Sequence, residues 1–239
     1  MPMKLDYKKT FLLGFGFFAI SLTWSVYNSF VPDFLRKFTE SKFLIGFIMT
    51  LDNYAGLFLQ PLFGSLSDRT HTRFGRRMPY LLIGMPIAAV IVCIIPLYWS
   101  MLSLIVSIVS LNLVMASFRS PTIALMPDLT PEPLRSKANG IINLMGGVGG
   151  AMACLVGSFL YKMNNAYPFY MASFFIILSI IILYFNIREQ RDSLNYFNGP
   201  VDREREDGRA KGGSGKIDWN VIMLLLAIFS WFVGYNAVE

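Results

Sequence analysis

The chain has 239 residues, 54% of them hydrophobic and only 15% charged, with a mean hydropathy of +0.51 and a formal net charge of +6. That balance excludes an ordinary soluble domain. The positive charge sits in short clusters between apolar runs, which argues against a nucleic-acid surface. A single histidine (His71), with no Ser/His/Asp set, metal-ligand spacing or ATP-binding motif, leaves nothing for catalysis, so no enzyme, metal or cofactor is expected.

Seven apolar stretches approach the ~20 residues that a hydrocarbon core of ~30 Å requires. They run near Phe11–Val31, Phe43–Gly64, Pro79–Leu97, Met101–Leu125, Asn139–Tyr161, Ala166–Ile187 and Trp219–Val238. Pro79, Pro86, Pro96 and Pro121 lie inside or at the edges of these runs without opposing a helical reading. In lipid, neighbouring helices can satisfy freed carbonyls, whereas open sheet edges have no place. The first run is too long for a signal-peptide core and lacks a small-residue cleavage site after it. Cys93 and Cys154 fall within spans and read as reduced packing residues.

Basic residues orient the spans. With the N-terminus inside, Lys4, Lys8, Lys9, Arg69, Arg73, Arg76, Arg77, Arg135, Lys137 and the basic residues from Arg188 to Lys216 are cytoplasmic. Only Arg36, Lys37, Lys42 and Lys162 fall outside, which is the asymmetry of the positive-inside rule. The expectation is a multi-pass protein of the plasma membrane with a cytoplasmic N-terminus, and Asp68 to Arg77 form a cytoplasmic loop.

Short loops join the first six spans, whereas a mixed-charge stretch with Gly208, Gly212, Gly213 and Gly215 precedes the seventh and reads as a flexible linker. The expected domains are a six-helix bundle over 1–187, a linker over 188–217 and the first helix of a second bundle over 218–239. An internal echo supports this: Trp24-Ser25-Val26-Tyr27-Asn28 resembles Trp231-Phe232-Val233-Gly234-Tyr235-Asn236 with one residue inserted. Chance similarity between two aromatic-rich helices is the competing explanation. If the repeat is real, five further helices are expected after Glu239.

Charged groups inside lipid cost roughly 2.5–3.5 kcal/mol each on insertion scales, so they point to function. Asp52 lies roughly 14 Å into the second span, and a helical repeat puts it on one face with Gly56 and Gln60, with Asn53 adjoining. That face borders a cavity, or Asp52 pairs with a neighbouring helix. Arg119 lies two turns from Asn112 on one face of the fourth span. It either faces the cavity, where its fork suits paired sugar hydroxyls or Asp52, or snorkels to the headgroups. The first span offers Ser21, Trp24 and Asn28 on one face with Tyr27 beside them. Aromatic faces can stack on a pyranose, but Trp24 and Tyr27 could instead be interfacial belt residues. In the fifth span Asn139, Asn143, Gly146, Gly147 and Gly150 share a face, read as close helix packing. The expected substrate and ion pathway comprises Trp24, Tyr27, Asn28, Asp52, Asn53, Gln60, Asn112, Arg119 and Asn143.

Gly64-Ser65-Leu66-Ser67-Asp68-Arg69, followed by Arg73-Phe74-Gly75-Arg76-Arg77, resembles the loop signature of the major facilitator superfamily, lengthened by a few residues. With Leu59-Gln60-Pro61, Pro79-Tyr80, Pro127-Asp128-Leu129 and Ala138-Asn139-Gly140, the chain looks like the sucrose–proton symporter branch, near the glycoside–cation symporters. The resemblance implies an all-α membrane protein: a six-helix N-terminal bundle built as a 3+3 inverted repeat, plus a seventh transmembrane helix opening a second bundle. It implies alternating-access movement of a glycoside together with a proton. Gly64, Asp68, Arg69, Arg73, Gly75, Arg76, Arg77, Asp128 and Arg135 would form a cytoplasmic gate. The proton-linked aspartate of plant sucrose carriers falls at Asn112, their substrate-contacting arginine at Ile123, and the sodium-site aspartates of melibiose-type carriers at Gly56 and Gln60. Sodium coupling by that pair is therefore not implied, and Asp52 becomes the candidate proton acceptor.

Two other classes compete on length alone. A seven-helix receptor conflicts with the inside N-terminus, and its retinal-binding form with the absence of lysine in the seventh span. A small seven-helix sugar uniporter conflicts with a layout of six helices, a linker and one helix.

Overall fold

The computed structural model describes residues 5–70 and 72–187, together with the single positions Trp219, Met223, Leu226, Ala227 and Ser230. The chain divides into two units, Met1–Tyr196 and Phe197–Glu239. In the second unit the five described positions are helical. The rest of the seventh span, the linker expected over 188–217 and His71 lie outside the described residues.

The first unit is a bundle of α1 (Tyr7–Arg36), α2 (Lys42–Arg69), α3 (Met78–Ile94), α4 (Met101–Leu129), α5 (Arg135–Met163) and α6 (Tyr167–Asn186). Single 3-10 turns at Ile95–Leu97 and Glu132–Leu134 follow α3 and precede α5. All six helices are long and apolar enough to cross a membrane. Their starts carry local signals. Asp6 accepts from Lys9 N ahead of α1, Ser41 accepts from Leu44 N ahead of α2, and Ser100 and Ser103 form a reciprocal capping box at α4. Pro79 and Pro168 sit in the first turns of α3 and α6, where the missing N–H is no loss.

Several helices outrun the apolar stretches that mark them. The i→i−4 ladder continues into the interface once it is nucleated, so α2 runs past Gly64 to Arg69 and α4 past Leu125 to Leu129. This corrects the loop expected from Asp68 to Arg77. Asp68 and Arg69 close α2, and the connection shortens to the residues between Thr70 and Arg77.

Packing repeats itself under exchange of the first three helices with the last three. α1 packs on α5 and α6; correspondingly, α4 packs on α2 and α3, and α3 meets α6. The added contact between α5 and α6 has no comparable counterpart between α2 and α3. This pairing is the signature of a 3+3 inverted repeat, because each three-helix unit presents its first helix to the second helix of the other.

Small residues set the closest approaches. A Cβ at Gly149 of α5 would meet the Phe18 carbonyl of α1 at 2.5 Å, so the two backbones nearly touch there. Gly146 and Gly150 face Ser21 and Ser25, and Gly84 of α3 seats the Phe118 ring of α4. Ser173 of α6 donates to the Ala89 carbonyl of α3 at 2.9 Å, a buried interhelical bond. The fifth span packs on α1 through small residues as expected, Gly146 and Gly150 among them, but the closest approach is at Gly149; Gly147 meets open space, and Asn139 and Asn143 are exposed. At the end where α1, α3 and α5 stop, Phe30, Phe34, Tyr98, Tyr161 and Phe169 form an aromatic cluster joining α1, α5, α6 and the turn after α3.

Candidate functional site: a mid-bundle polar cluster and an arginine-rich end

Two groups of polar residues stand out, one near the middle of the helices and one at the end where α2 and α4 stop and α3 and α5 begin. Helix direction explains the second group. In an up-and-down bundle these four ends share one side, which collects residues too polar for the spans.

Arg77 organises that end. It is 7% exposed, and from the start of α3 its fork reaches three side chains on two other helices. Nε donates to Asp128 on α4, Nη1 to Ser67 Oγ at 3.0 Å and Nη2 to Asp68 at 2.7 Å, both on α2. A planar guanidinium spreads its donors over three nitrogens and so spans three separated acceptors, whereas an ammonium's three donors radiate from one point. Arg76 approaches the same Asp128 carboxylate at 3.6 Å. Arg135 donates to the carbonyls of Pro127 and Thr130, satisfying the open C-terminal end of α4. Between α2 and α3, Gly75 N donates to Thr72 O, and Gly75 adopts φ 112°, a conformation that suits a residue without Cβ. Arg73 stacks over Phe74, whose ring lies 6.3 Å from that of Tyr184 on α6. Arg69 is exposed, and Gly64 approaches Ser120 of α4 so closely that a Cβ would stand 2.9 Å from Oγ. The nine residues expected at a gate thus lie at one end of the bundle, and Arg77 and Asp128 bind three of its helices together.

The mid-bundle group joins α1, α2 and α4. The Trp24 and Tyr27 rings stack at 5.4 Å with an interplanar angle of 17°, and the Arg119 guanidinium lies over the Trp24 ring at 5.4 Å. Asp52 is half-buried on α2, which packs against α4. Tyr27 and Asn112 are 1% and 4% exposed, and among the described residues neither the phenol oxygen nor either amide atom has a hydrogen-bond partner. Tyr27 is therefore no belt residue, and Arg119 turns toward α1. The other expected pathway residues sit differently. Asn28, Asn53 and Asn143 are exposed, and half-buried Gln60 brings its amide to 3.1 Å from where a Gly56 Cβ would stand. Asn53 touches the group only through its backbone, whose N–H donates to Asp52 Oδ1 at 2.7 Å. Ile123 is 46% exposed.

The sequence pattern of the Major Facilitator Superfamily matches residues 13–239. The chain belongs to the Major Facilitator Superfamily. It is 27% identical over 186 residues to the general alpha-glucoside permease of Schizosaccharomyces pombe, an alignment covering 69% of this chain and 33% of that protein. It is 24% identical over 167 residues to proton-associated sugar transporter A of Homo sapiens, covering 64% and 22%. Against the sucrose transport protein SUC4 of Arabidopsis thaliana it is 24% identical over 159 residues, covering 59% and 31%. The chain spans a third or less of the length of these relatives. As a superfamily member with six helices of membrane-crossing length, it is an integral, multi-pass membrane protein.

Within this superfamily fold, three contacts escaped the reading of single residues. Ser67 was visible only as part of the Gly64–Arg69 motif, yet it is fully buried and receives Arg77. Thr70 and Tyr80 bridge their hydroxyls at 2.9 Å across the turn between α2 and α3. The Arg119–Trp24 contact had no local signal, because their separation in sequence says nothing about which faces of α1 and α4 meet.

Proposed function

We propose that the chain is the N-terminal bundle of a secondary transporter that moves a glycoside, sucrose or an α-glucoside, across the plasma membrane by alternating access and coupled to protons. The carrying observation is the mid-bundle group: an arginine over one of two stacked aromatic rings and two buried polar side chains with no hydrogen-bond partner among the described residues, with Asp52 half-buried on the neighbouring α2, all within apolar helices. Burying unsatisfied polar groups there is unfavourable, which is understandable if they serve a passing solute. Relatives described as an alpha-glucoside permease, a proton-associated sugar transporter and a sucrose transport protein support the same substrate class.

In this reading residues 1–187 form the first bundle, 188–217 the cytoplasmic linker and 218–239 the start of a second bundle, with the N-terminus in the cytoplasm. Trp24 and Tyr27 would present the stacking surface, Arg119 and Asn112 the hydroxyl contacts, and Asp52 the proton site, with Asn28, Asn53, Gln60 and Asn143 along the route. The Asp68–Arg77–Asp128 network, with Gly64, Arg69, Arg73, Gly75, Arg76 and Arg135, would be the part of the cytoplasmic gate that belongs to this bundle.

The test is uptake of radiolabelled maltose and sucrose by proteoliposomes containing the full-length protein. An imposed inward proton gradient should drive accumulation above equilibrium, and a protonophore should collapse it. Equal uptake with and without the gradient would remove the coupling. Failure to move either sugar, or any other glycoside, would remove the substrate class.

A further inference from the structure

The exposed faces of the helices differ in kind. On α3 the outward residues are Ile83, Ile87, Val90 and Ile94, and on α6 they include Phe174, Ile177, Ile181 and Tyr184, each set recurring every three or four positions. The two helices pack side by side, tied by the Ser173–Ala89 bond. Exposed Asn53, Asn139 and Asn143 belong to α2 and α5 instead. A wholly apolar face on a membrane-spanning bundle meets acyl chains. On the arginine-rich side that face ends in a compact group. Phe74 of the α2–α3 turn lies 6.3 Å from Tyr184, whose ring meets Phe185 edge-on at 5.3 Å, and the Arg73 guanidinium stands over Phe74 at 4.7 Å. All four side chains are exposed. Asp68 and Asp128 are engaged by Arg77 and Arg76, and among the described residues the Arg73 side chain has neither a carboxylate nor a hydrogen-bond partner.

We propose that this edge, where the α2–α3 turn meets α6, is a binding site for an anionic phospholipid of the surrounding membrane. The phosphate pairs with Arg73, the ester region lies against Phe74, Tyr184 and Phe185, and the acyl chains follow the α3–α6 face. Each part has a physical match. A guanidinium fork and a phosphate bond bidentately, and aromatic rings settle at the boundary between headgroup and hydrocarbon. The uncompensated charge of Arg73, with exposed Arg69 four positions earlier, attracts a net negative headgroup and repels a choline group. The turn that carries Arg73 leads straight into Arg77, so a bound lipid pins the turn to α6 and steadies the clasp on α2 and α4. The site concerns the bundle and its membrane and is independent of what the protein carries.

The experiment titrates the full-length protein in detergent with dioleoyl phosphatidylglycerol or dioleoyl phosphatidylcholine and counts bound lipid by native mass spectrometry. The wild type should bind its first phosphatidylglycerol about fivefold more tightly than phosphatidylcholine, the factor one arginine contributes near an anionic headgroup. Arg73→Gln should bind the two lipids alike, whereas Lys162→Gln, in the last turn of α5 at the opposite end, should keep the preference. A second readout locates the effect. In nanodiscs, amide exchange over residues 72–77 should slow when phosphatidylglycerol replaces phosphatidylcholine around the wild type, and should not respond in Arg73→Gln. A preference that survives Arg73→Gln, one lost equally in Lys162→Gln, or exchange indifferent to the lipid would each overturn the site. Displacement of the bound phosphatidylglycerol by inorganic phosphate would show a free-anion site and overturn the lipid assignment. None of these outcomes bears on sugar transport, which the uptake assay tests separately.

Discussion

Arg77, at the threshold of α3, donates to Asp128 in the last turn of α4, across 51 positions of sequence, from a side chain that is almost completely buried. Asp68 and Ser67 on α2 take the other two branches of the same fork. One guanidinium therefore ties three helix ends whose own backbones meet only partly.

Removing Arg77 should cost more than removing its exposed neighbours. Arg77→Ala leaves the shielded Asp128 carboxylate without its closest partner, and breaking a buried pair from one side costs about 3–5 kcal/mol. Arg77→Lys retains charge but not the three-way fork, and should recover only part of the loss. Arg69→Ala, at an exposed position, should stay within about 0.5 kcal/mol of the parent. Thermal unfolding of the three variants in one detergent, followed by size-exclusion chromatography, gives the order; Arg77→Ala matching Arg69→Ala would contradict the structural role.

Two glycines two residues apart should behave oppositely. At Gly149 a methyl group would press on the Phe18 carbonyl and Leu22 N, which are backbone and cannot swing away, so Gly149→Ala should destabilise by about 1–3 kcal/mol. At Gly147 a methyl meets nothing within 4 Å, and alanine's better helix propensity should make Gly147→Ala neutral or up to about 1 kcal/mol stabilising. Paired melting curves decide the matter, and a stabilised Gly149→Ala variant would disprove the close α1–α5 approach.

Asp52→Asn should abolish proton-driven glycoside accumulation and spare sugar exchange across the membrane. Exchange needs the binding site and the rocking motion but no net proton movement. Uptake and counterflow measured on the same proteoliposomes separate the two. Retained accumulation would remove Asp52 from the coupling mechanism.

The Tyr27 phenol is buried without a hydrogen-bond partner among the described residues, a situation that costs about 1–3 kcal/mol. Tyr27→Phe keeps the stacked ring and deletes only the orphaned hydroxyl. It should raise thermal stability by about 1 kcal/mol while lowering the rate of sugar uptake. A variant that melts earlier and transports normally would show that the hydroxyl serves packing instead.

How much was legible in advance differs between the two groups. The Gly64–Arg69 and Arg73–Arg77 motif drew attention to Asp68, Arg76 and Arg77, because clustered arginines between apolar runs can hardly lie anywhere but at a membrane surface. Asp52 and Arg119 were visible for the complementary reason that charges are costly inside apolar helices. Rotation about each helix axis was less legible. The fifth span was expected to pack through a face containing Gly146, Gly147 and Gly150; Gly146 and Gly150 do meet Ser21 and Ser25 of α1, but the closest approach is at Gly149, and Gly147 looks into open space. Helical periodicity assigns neighbours to a face; it does not choose which glycine meets the opposing backbone. The extent of α2 was also underestimated, because hydrophobicity ends at the edge of the lipid while the hydrogen-bond ladder continues to Arg69.

From residue order alone came the six apolar helices, their approximate limits and the resemblance to a superfamily. In hydrocarbon every backbone N–H and C=O must be satisfied within its own segment, so a long enough apolar run dictates a helix without reference to the rest of the chain. Tertiary structure alone decided that Arg119 lies over Trp24, that Tyr27 and Asn112 are buried without partners, and that one arginine clasps α2 and α4. These contacts depend on how closely helices approach and how each is turned. That is set by where small residues let backbones come together, such as Gly149 against Phe18, a property of helix pairs and not of any one segment.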